Sequence, residues 1–258
     1  MKKIFSLLLV ICVLISAVSL SSCGNQPRKT LIKNAIEKTE KLKSVEQRMT
    51  ITMTMSVNGV SVEIPIKAHI KGKNLDTSKP TLYEQMTVTA MGERVSVTMY
   101  ADADWVYINQ GTAKYKMSLE DAEEVSTDIG KDAESMLLLP PDDALKTATD
   151  LKYQDGRRVV KVEFDGEQFE DTYADLIDML EDTSGMGDFD VKEGTIEITV
   201  KDGYILRYDM DFTMTAKIEG GQKMDVRVDA DLEIVDPGEK VDVKIPDEYK
   251  KFPQQSID

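Results

Sequence analysis

The side chains able to do chemistry in this chain are few in kind. There are two thiols, Cys12 and Cys23, one imidazole, His69, and 47 carboxylates against 32 Lys and Arg. A thiolate attacks carbonyls or holds a metal, an imidazole moves protons near neutral pH, and paired carboxylates do acid–base work. One histidine excludes a zinc site built from several imidazoles, and a Ser-His-Asp triad unless His69 serves it. His69 falls in step with Lys67 and Lys71 and out of step with Ala68 and Ile70, which marks it as an outward-facing strand residue. The acids between Asp182 and Asp190 do not alternate toward a central glycine, so they lack the calcium-loop pattern. Asp102 and Asp104 fit a turn, and Arg157-Arg158 a hairpin charge pair. With no nucleophile–base pair, metal cluster or glycine-rich phosphate loop, the expectation is a protein that is not an enzyme and uses no metal or cofactor. Carboxylates are so abundant that a two-carboxylate hydrolase stays open.

The elements begin with a targeting segment. Lys2 and Lys3 precede an apolar run from Ile4 to Val18, followed by Leu20-Ser-Ser-Cys23-Gly24. A plain secretory signal ends in small residues. This one has cysteine directly after them, and the pattern resembles the bacterial lipoprotein lipobox. The resemblance implies that residues 1–22 are removed and that Cys23 is diacylated on sulfur and becomes the first mature residue. Residues 23–29 then form a lipidated tether. Cys12 leaves with the signal and Cys23 carries lipid, so the mature domain keeps no disulfide and no thiol nucleophile. Two or three acyl chains anchor a protein stably where one holds it only marginally. The expected place is the extracytoplasmic face of a bacterial cell membrane, Gram-positive favoured, with the membrane as partner through the anchor.

The formal net charge of −15 leaves no basic patch to neutralise phosphates, which argues against nucleic acid as a partner. It also disfavours lying flat on anionic headgroups, and it keeps the chain soluble. The length suits one larger all-β or α+β domain or two small ones.

From Thr30 an apolar stripe of Leu31, Ile32, Ala35, Ile36, Leu42 and Val45 predicts an amphipathic helix of about four turns. Strands follow. Met49 to Val57 alternates apolar residues with Thr and Ser, turns at Asn58-Gly59, and returns through Val60 to Ile70, with Pro65 suggesting an edge or a bulge. Leu82–Ala90 with Val95–Tyr100, and Trp105–Asn109 with Ala113–Met117, make two more hairpins. A helical middle is expected from Ser118 to Thr149. It opens on a Ser118/Asp121 capping box with Leu119, Ala122, Val125 and Ile129, runs through Leu137–Leu139, and restarts after Pro140-Pro141 at Asp142. Leu151–Gln154 and Val159–Phe164 form another hairpin. A helix then shows Phe169, Tyr173, Leu176, Ile177 and Leu180 on one face and acids on the other. Three long strands close the pattern: Gly194–Val200, Tyr204–Ile218 and Met224–Val235. The expected fold is α+β, a single large curved antiparallel sheet forming an open half-barrel, with helices packed on its concave face.

Methionine is concentrated on the dry parity of these strands. Met49, Ile51, Met53 and Met55 share a face on the first strand. Met86, Val88 and Met99 lie on the dry faces of the second hairpin, and Met210, Phe212 and Met214 share a face near the end. Tight cores favour Leu, Ile, Val and Phe, whereas methionine is over-used on surfaces that accept varied apolar partners. These ten residues are therefore the expected lining of a cavity for a lipid or other hydrophobic ligand. The other reading is that methionine fills irregular gaps between sheet and helices, and both stay open.

The order of lipobox, amphipathic helix and long antiparallel strands resembles the half-barrel fold of the LolA and LolB lipoprotein carriers and the mycobacterial LppX and LprG lipoproteins. More narrowly, it is similar to an uncharacterised lipoprotein family common in spore-forming, Gram-positive anaerobes. Three stretches carry the likeness: Leu42-Lys-Ser-Val45, Trp105-Val-Tyr-Ile108 followed by Lys114-Tyr-Lys116, and Val243-Lys-Ile-Pro246-Asp-Glu248. It covers nearly all of the mature chain, in architecture more than in motif. It implies one domain over 30–258 in a membrane-anchored lipoprotein that binds or carries a hydrophobic ligand. The alternative is a non-enzymatic cell-surface interaction or sensing module, its core filled by Phe169, Tyr173, Leu176, Ile177 and Leu180. The acidic middle from Ser118 to Thr149 departs from the pattern.

Overall fold

Long two-residue alternation dictates sheet, and sheet is what the chain forms. The computed structural model describes residues 27–90, 92–121, 140–170, 187–217 and 222–255. Among these, the strands are β1 (Ser44–Val57), β2 (Val60–Lys73), β3 (Thr81–Ala90), β4 (Glu93–Ala101), β5 (Trp105–Gln110), β6 (Ala113–Ser118), β7 (Thr149–Gln154), β8 (Arg157–Asp165), β9 (Gly187–Lys201), β10 (Tyr204–Lys217) and β11 (Lys223–Val235). They form one open antiparallel sheet in the order β6-β5-β4-β3-β2-β1-β11-β10-β9-β8-β7. Each half is a meander of hairpins, and the two halves meet where β1 pairs with β11. Asn58-Gly59, Asp155-Gly156 and Asp202-Gly203 each hold both residues at positive φ, the backbone that a two-residue hairpin turn requires.

Register places the dry residues of successive strands in rows. Met53 lies opposite Val228, Val228 opposite Phe212, Phe212 opposite Gly194, and Gly194 opposite Phe164. The next rows join Ile51, Ala230, Met210, Ile196 and Val162, then Met49, Leu232, Tyr208, Ile198 and Val160. This face is the main core.

The helix α1 (Arg28–Glu40) packs on the core at β9 and β10 through Ile32, Ala35 and Ile36. Thr39 fixes it there: Thr39 Oγ1 accepts the N–H of Ile205 at 3.0 Å and donates to the carbonyl of Ala35 at 2.7 Å. Lys38 Nζ donates to the carbonyl of Asp202 at 2.7 Å and stands 3.9 Å over the ring of Tyr204. The expected helix ran on to Val45. The observed one stops at Glu40, because the β1–β2 ladder extends to Ser44–Lys73 and takes Val45 into a strand opposite Gly72. Ladder hydrogen bonds here override local helical periodicity. After Pro140-Pro141, the expected helix is only a 3-10 turn, Ala144–Lys146, before β7 starts at Thr149. Ala144, Leu145 and Ala148 still reach the core beside α1.

A second apolar cluster sits on the opposite face, where the C-terminal segment crosses the N-terminal meander. Tyr107, Ile245 and Tyr249 are buried there, with Tyr100, Trp105 and Phe252 packed around them. Beyond it, the chain closes the β6 edge. The Lys116 N–H donates to the Pro253 carbonyl, and the Gln255 N–H to the Lys116 carbonyl, both at 2.9 Å. An unpaired edge is a template for aggregation, and this pairing covers it.

The expected signal peptide and Cys23 lie outside the described residues, as do the stripe Ala122, Val125 and Ile129, Leu137–Leu139, and Tyr173, Leu176, Ile177 and Leu180. Among the described residues, no helix is long and apolar enough to cross a membrane.

Candidate functional site

Pro65 organises the most open part of the apolar face. It stands opposite Thr52 within the β1–β2 ladder, well inside the sheet. Having no N–H, it cannot donate to a strand on its other side. The β2–β3 ladder begins one residue later, at Ile66–Val88. From Val60 to Pro65, β2 therefore pairs with β1 alone, and the β3–β4 hairpin parts from it. The expected edge character of Pro65 is thus local to this stretch, although β2 is an interior strand.

A groove of about 690 Å³ occupies the gap. β1 contributes Met55 and Val57, and β2 contributes Val60, Val62 and Ile64. Ala90, Glu93 and Met224 complete it. Val60 is 69% exposed, Val95 48% and Met86 36%, so this end of the face is wet where the α1 end is dry.

The ten residues expected to line a cavity all fall on this one face, by register. Met210, Phe212 and Met214 are buried in the core that α1 packs on. Met49, Ile51, Met53 and Met55 are half-buried at its border. Met86 is exposed, Val88 and Met99 are half-buried, and of the ten only Met55 touches the groove. Phe169 stacks on Phe212 at 5.3 Å and lies 5.4 Å from Phe164, filling the β8–β10 part.

Two polar residues share this face and escaped the sequence reading. Gln47 is 6% exposed, with its Oε1 lacking a hydrogen-bond partner. Glu84 sits among Leu82, Met86, Ile70 and Met99, and burial pushes its carboxyl above the usual carboxylate range. The signal was present: each is a polar residue at dry parity in an otherwise regular alternation.

The opposite face is polar. His69 Nε2 is 2.9 Å from Glu46 Oε1, and Lys71 Nζ is 3.2 Å from Glu46 Oε2. Burial works against the Glu46 carboxylate, but the hydrogen bonds from His69 and Lys71 hold it below its usual range. The His69 ring meets Tyr83 edge-on at 5.7 Å, so His69 is half-buried on the wet face. Asp102 Oδ1 accepts the N–H groups of Asp104 and Trp105, both at 3.0 Å, in a turn. Burial, with the Asp102 carboxylate adding, pushes the Tyr107 hydroxyl up to about 12. Arg158 and Arg28 both bind Asp150, at 2.6 and 2.8 Å, tying α1 to β7 and β8. On β10 and β11, Asp209 faces Asp231, and Asp211 faces Asp229. Arg207 bridges Asp209 and Asp231 at 2.9 and 2.5 Å. Burial and the hydrogen bond with Asp231 push Asp209 up to about 6. Two further clefts, of about 840 and 790 Å³, are lined largely by charged residues. Among the described residues, no group of three His, Cys, Asp or Glu side chains is placed to hold a metal.

A model of a family of unknown function, DUF6612, matches residues 28–254. No curated protein matches the chain. Among solved structures, the chain is similar to LprF from Mycobacterium bovis, at 14% identity, covering 85% of this chain and 96% of that one, with a TM-score of 0.43. It is also similar to a DUF1329 family protein from Desulfovibrio piger ATCC 29098, at 13% identity, 87% and 97% coverage and a TM-score of 0.27. A third likeness is to a putative outer membrane lipoprotein-sorting protein domain from Vibrio parahaemolyticus, at 9% identity, 81% and 92% coverage and a TM-score of 0.26.

Proposed function

We propose that this chain, which belongs to DUF6612, a family of unknown function, is a lipid-anchored binding protein that holds the apolar part of a lipid or other hydrophobic molecule and catalyses no reaction. The observation that carries this reading is the groove of about 690 Å³ between β2 and the β3–β4 hairpin, walled by Met55, Val57, Val62 and Ile64. Its volume lies in the range of ligand sites, and each Å² of apolar surface it takes from water contributes roughly 25 cal/mol. Met86, Val88 and Met99 continue the apolar surface away from the groove. On this reading the sheet curves into an open half-barrel with α1 on its concave side. The lipobox ending at Cys23 gives a diacylated first residue, residues 23–29 act as tether, and the domain is held at the extracytoplasmic face of the membrane.

A specific observation also favours a filled interaction module. Phe169 stacks on Phe212, and Met210 and Met214 are buried, so the β8–β10 half of the face is already occupied. The two readings part at the groove. The domain from Gly24 to Asp258, lacking the lipidated cysteine, is purified without detergent and analysed by native mass spectrometry, then titrated with a fluorescent fatty acid. The carrier reading expects bound lipid, and a large loss of probe affinity in Val62→Asp with the unfolding midpoint retained. Absence of both lipid and probe binding in the wild type leaves only the filled module.

A further inference from the structure

The sheet has two margins, and the chain treats them differently. β6 is covered by the C-terminal segment, whereas among the described residues no strand pairs with the outer side of β7. β7 is short, and its ladder with β8 skips Leu151 between Asp150 and Lys152. A break of that kind spoils an edge as a template for another strand. Yet the edge shows two large side chains to water: Leu151 is 50% exposed and Tyr153 67%. Lys152 and Arg157, also exposed, have no ion-pair partner among the described residues. The neighbouring start of α1 adds cations: Arg28 shares Asp150 with Arg158, and Lys29 and Lys33 share Asp142. Even with Asp155 at the hairpin turn, cations stay in surplus here, in a chain of net charge −15.

The proposed anchor ends beside this margin. α1 begins at Arg28, which holds Asp150 on β7 at 2.8 Å. From Cys23 to Pro27 the chain spans at most roughly 14 Å, even fully extended. Acyl chains on Cys23 therefore keep Pro27 within that reach of the bilayer. Tyr153 lies three residues along β7 from Asp150, roughly 10 Å. The acids of β10 and β11 stand three and four strands away, roughly 14–19 Å, beyond a Debye length of about 8 Å at physiological salt. Their repulsion of anionic headgroups is screened at this margin.

Resting on the lipid anchor proposed above, we infer that the β7 margin is a membrane-contact surface, on which Leu151 and Tyr153 enter the interfacial layer of the bilayer and Lys152 and Arg157 meet the phosphates of anionic lipid. An exposed tyrosine beside leucine suits that layer, with its apolar body inward and its hydroxyl among the headgroups. Lys and Arg keep their charge at the phosphates while their stems lie along apolar surface. The contact fixes how the tethered domain stands, which the anchor by itself leaves free to rotate.

The test uses the full chain, produced in bacteria so that Cys23 is acylated, and reconstituted into phosphatidylcholine vesicles with or without phosphatidylglycerol. Tyr153→Trp in a Trp105→Phe background places one indole on the margin, and brominated acyl chains quench an indole that enters the bilayer. With phosphatidylglycerol present, its emission is expected to fall about twofold, whereas that of native Trp105, packed in the second apolar cluster, holds within about a tenth. In the same background, Leu151→Asp removes most of the quenching, and Lys152→Glu with Arg157→Glu removes its dependence on phosphatidylglycerol. These side chains are exposed, so the unfolding midpoint holds. Acylated protein whose introduced indole is not quenched, or whose quenching is untouched by both sets of substitutions, overturns this surface and leaves the anchor standing. A blue shift that grows with protein density, without quenching, assigns the edge to a second copy and likewise overturns it. Absence of an acyl mass on Cys23 overturns both.

Discussion

The ring of Phe164 lies over Gly194, its cross-strand partner, and a Cβ at position 194 would come within 2.2 Å of the ring's Cζ and 2.7 Å of Phe212 Cβ. The glycine is the gap into which two aromatic rows close, with Phe169 stacked across them. An added methyl cannot be absorbed by a flexible side chain here. Gly194→Ala is expected to destabilise the domain by ~1–3 kcal/mol, read as a lower unfolding midpoint in denaturant. An unchanged midpoint would mean that the rings can swing aside.

The attachment of α1 gives a second prediction. Thr39→Val keeps the shape of the side chain but leaves the Ile205 N–H without its acceptor, in a place where both residues are buried. The expected cost is ~1–3 kcal/mol. Amide exchange at Ile205 reports it directly. Exchange as slow as in the wild type would show that another acceptor takes over.

The paired acids on β10 and β11 make stability depend on pH. Burial and the hydrogen bond that the protonated Asp209 donates to Asp231 raise Asp209 in the folded state to about 6, above the ordinary Asp value, so the folded protein holds this proton more tightly than the unfolded chain does. The ionised pair therefore destabilises the fold above pH 6, and the penalty fades as pH falls toward the unfolded value near 4. Asp209→Asn should raise the melting temperature at pH 7, by roughly the 0.2–1 kcal/mol of a directly opposed like-charge pair, and the gap to wild type should narrow by pH 4.5. A gap that widens on acidification would contradict the assignment.

The C-terminal strap guards an edge. Ending the chain at Phe252 removes Pro253 and Gln255, whose backbone groups pair with Lys116. The β6 edge is then free to pair with another copy. Light scattering at increasing concentration should detect association in the truncated chain and none in the full one. A truncated chain that stays monomeric would show that β6 needs no cover.

Much of this architecture is legible in the sequence because its signals are local. Asn58-Gly59 and Asp202-Gly203 sit between alternating runs, and each becomes the expected hairpin. The helix end was not legible: Leu42 and Val45 continue the helical stripe of Ile32 and Ala35, and only the distant pairing of β1 decides that Val45 is strand. Pro65 suggests an edge or a bulge, yet β2 is an interior strand, and which neighbour the missing N–H fails to serve depends on strand order. The second apolar cluster was hidden because Tyr83, Tyr100 and Tyr107 occupy wet parity, where Tyr249 of the C-terminal segment covers them. At the candidate site, parity gives the face on which the methionines lie but not which part of it α1 and Phe169 occupy. Gln47 and Glu84 were readable as breaks in alternation, but that they share one cross-strand row depends on the register of β1, β2 and β3.

The pairing of β1 with β11 has a kinetic consequence. Every other junction in the sheet joins strands that are neighbours along the chain or nearly so, and each meander can zip up from its own turns. Among the strand pairings of the sheet, the seam alone joins its first and last strands, from Glu46–Val235 to Ser56–Asp225, and it carries the closure entropy of almost the whole domain. The Met/Thr strand that opens the domain must therefore keep one margin bare through translation, until the last strand arrives to cover it.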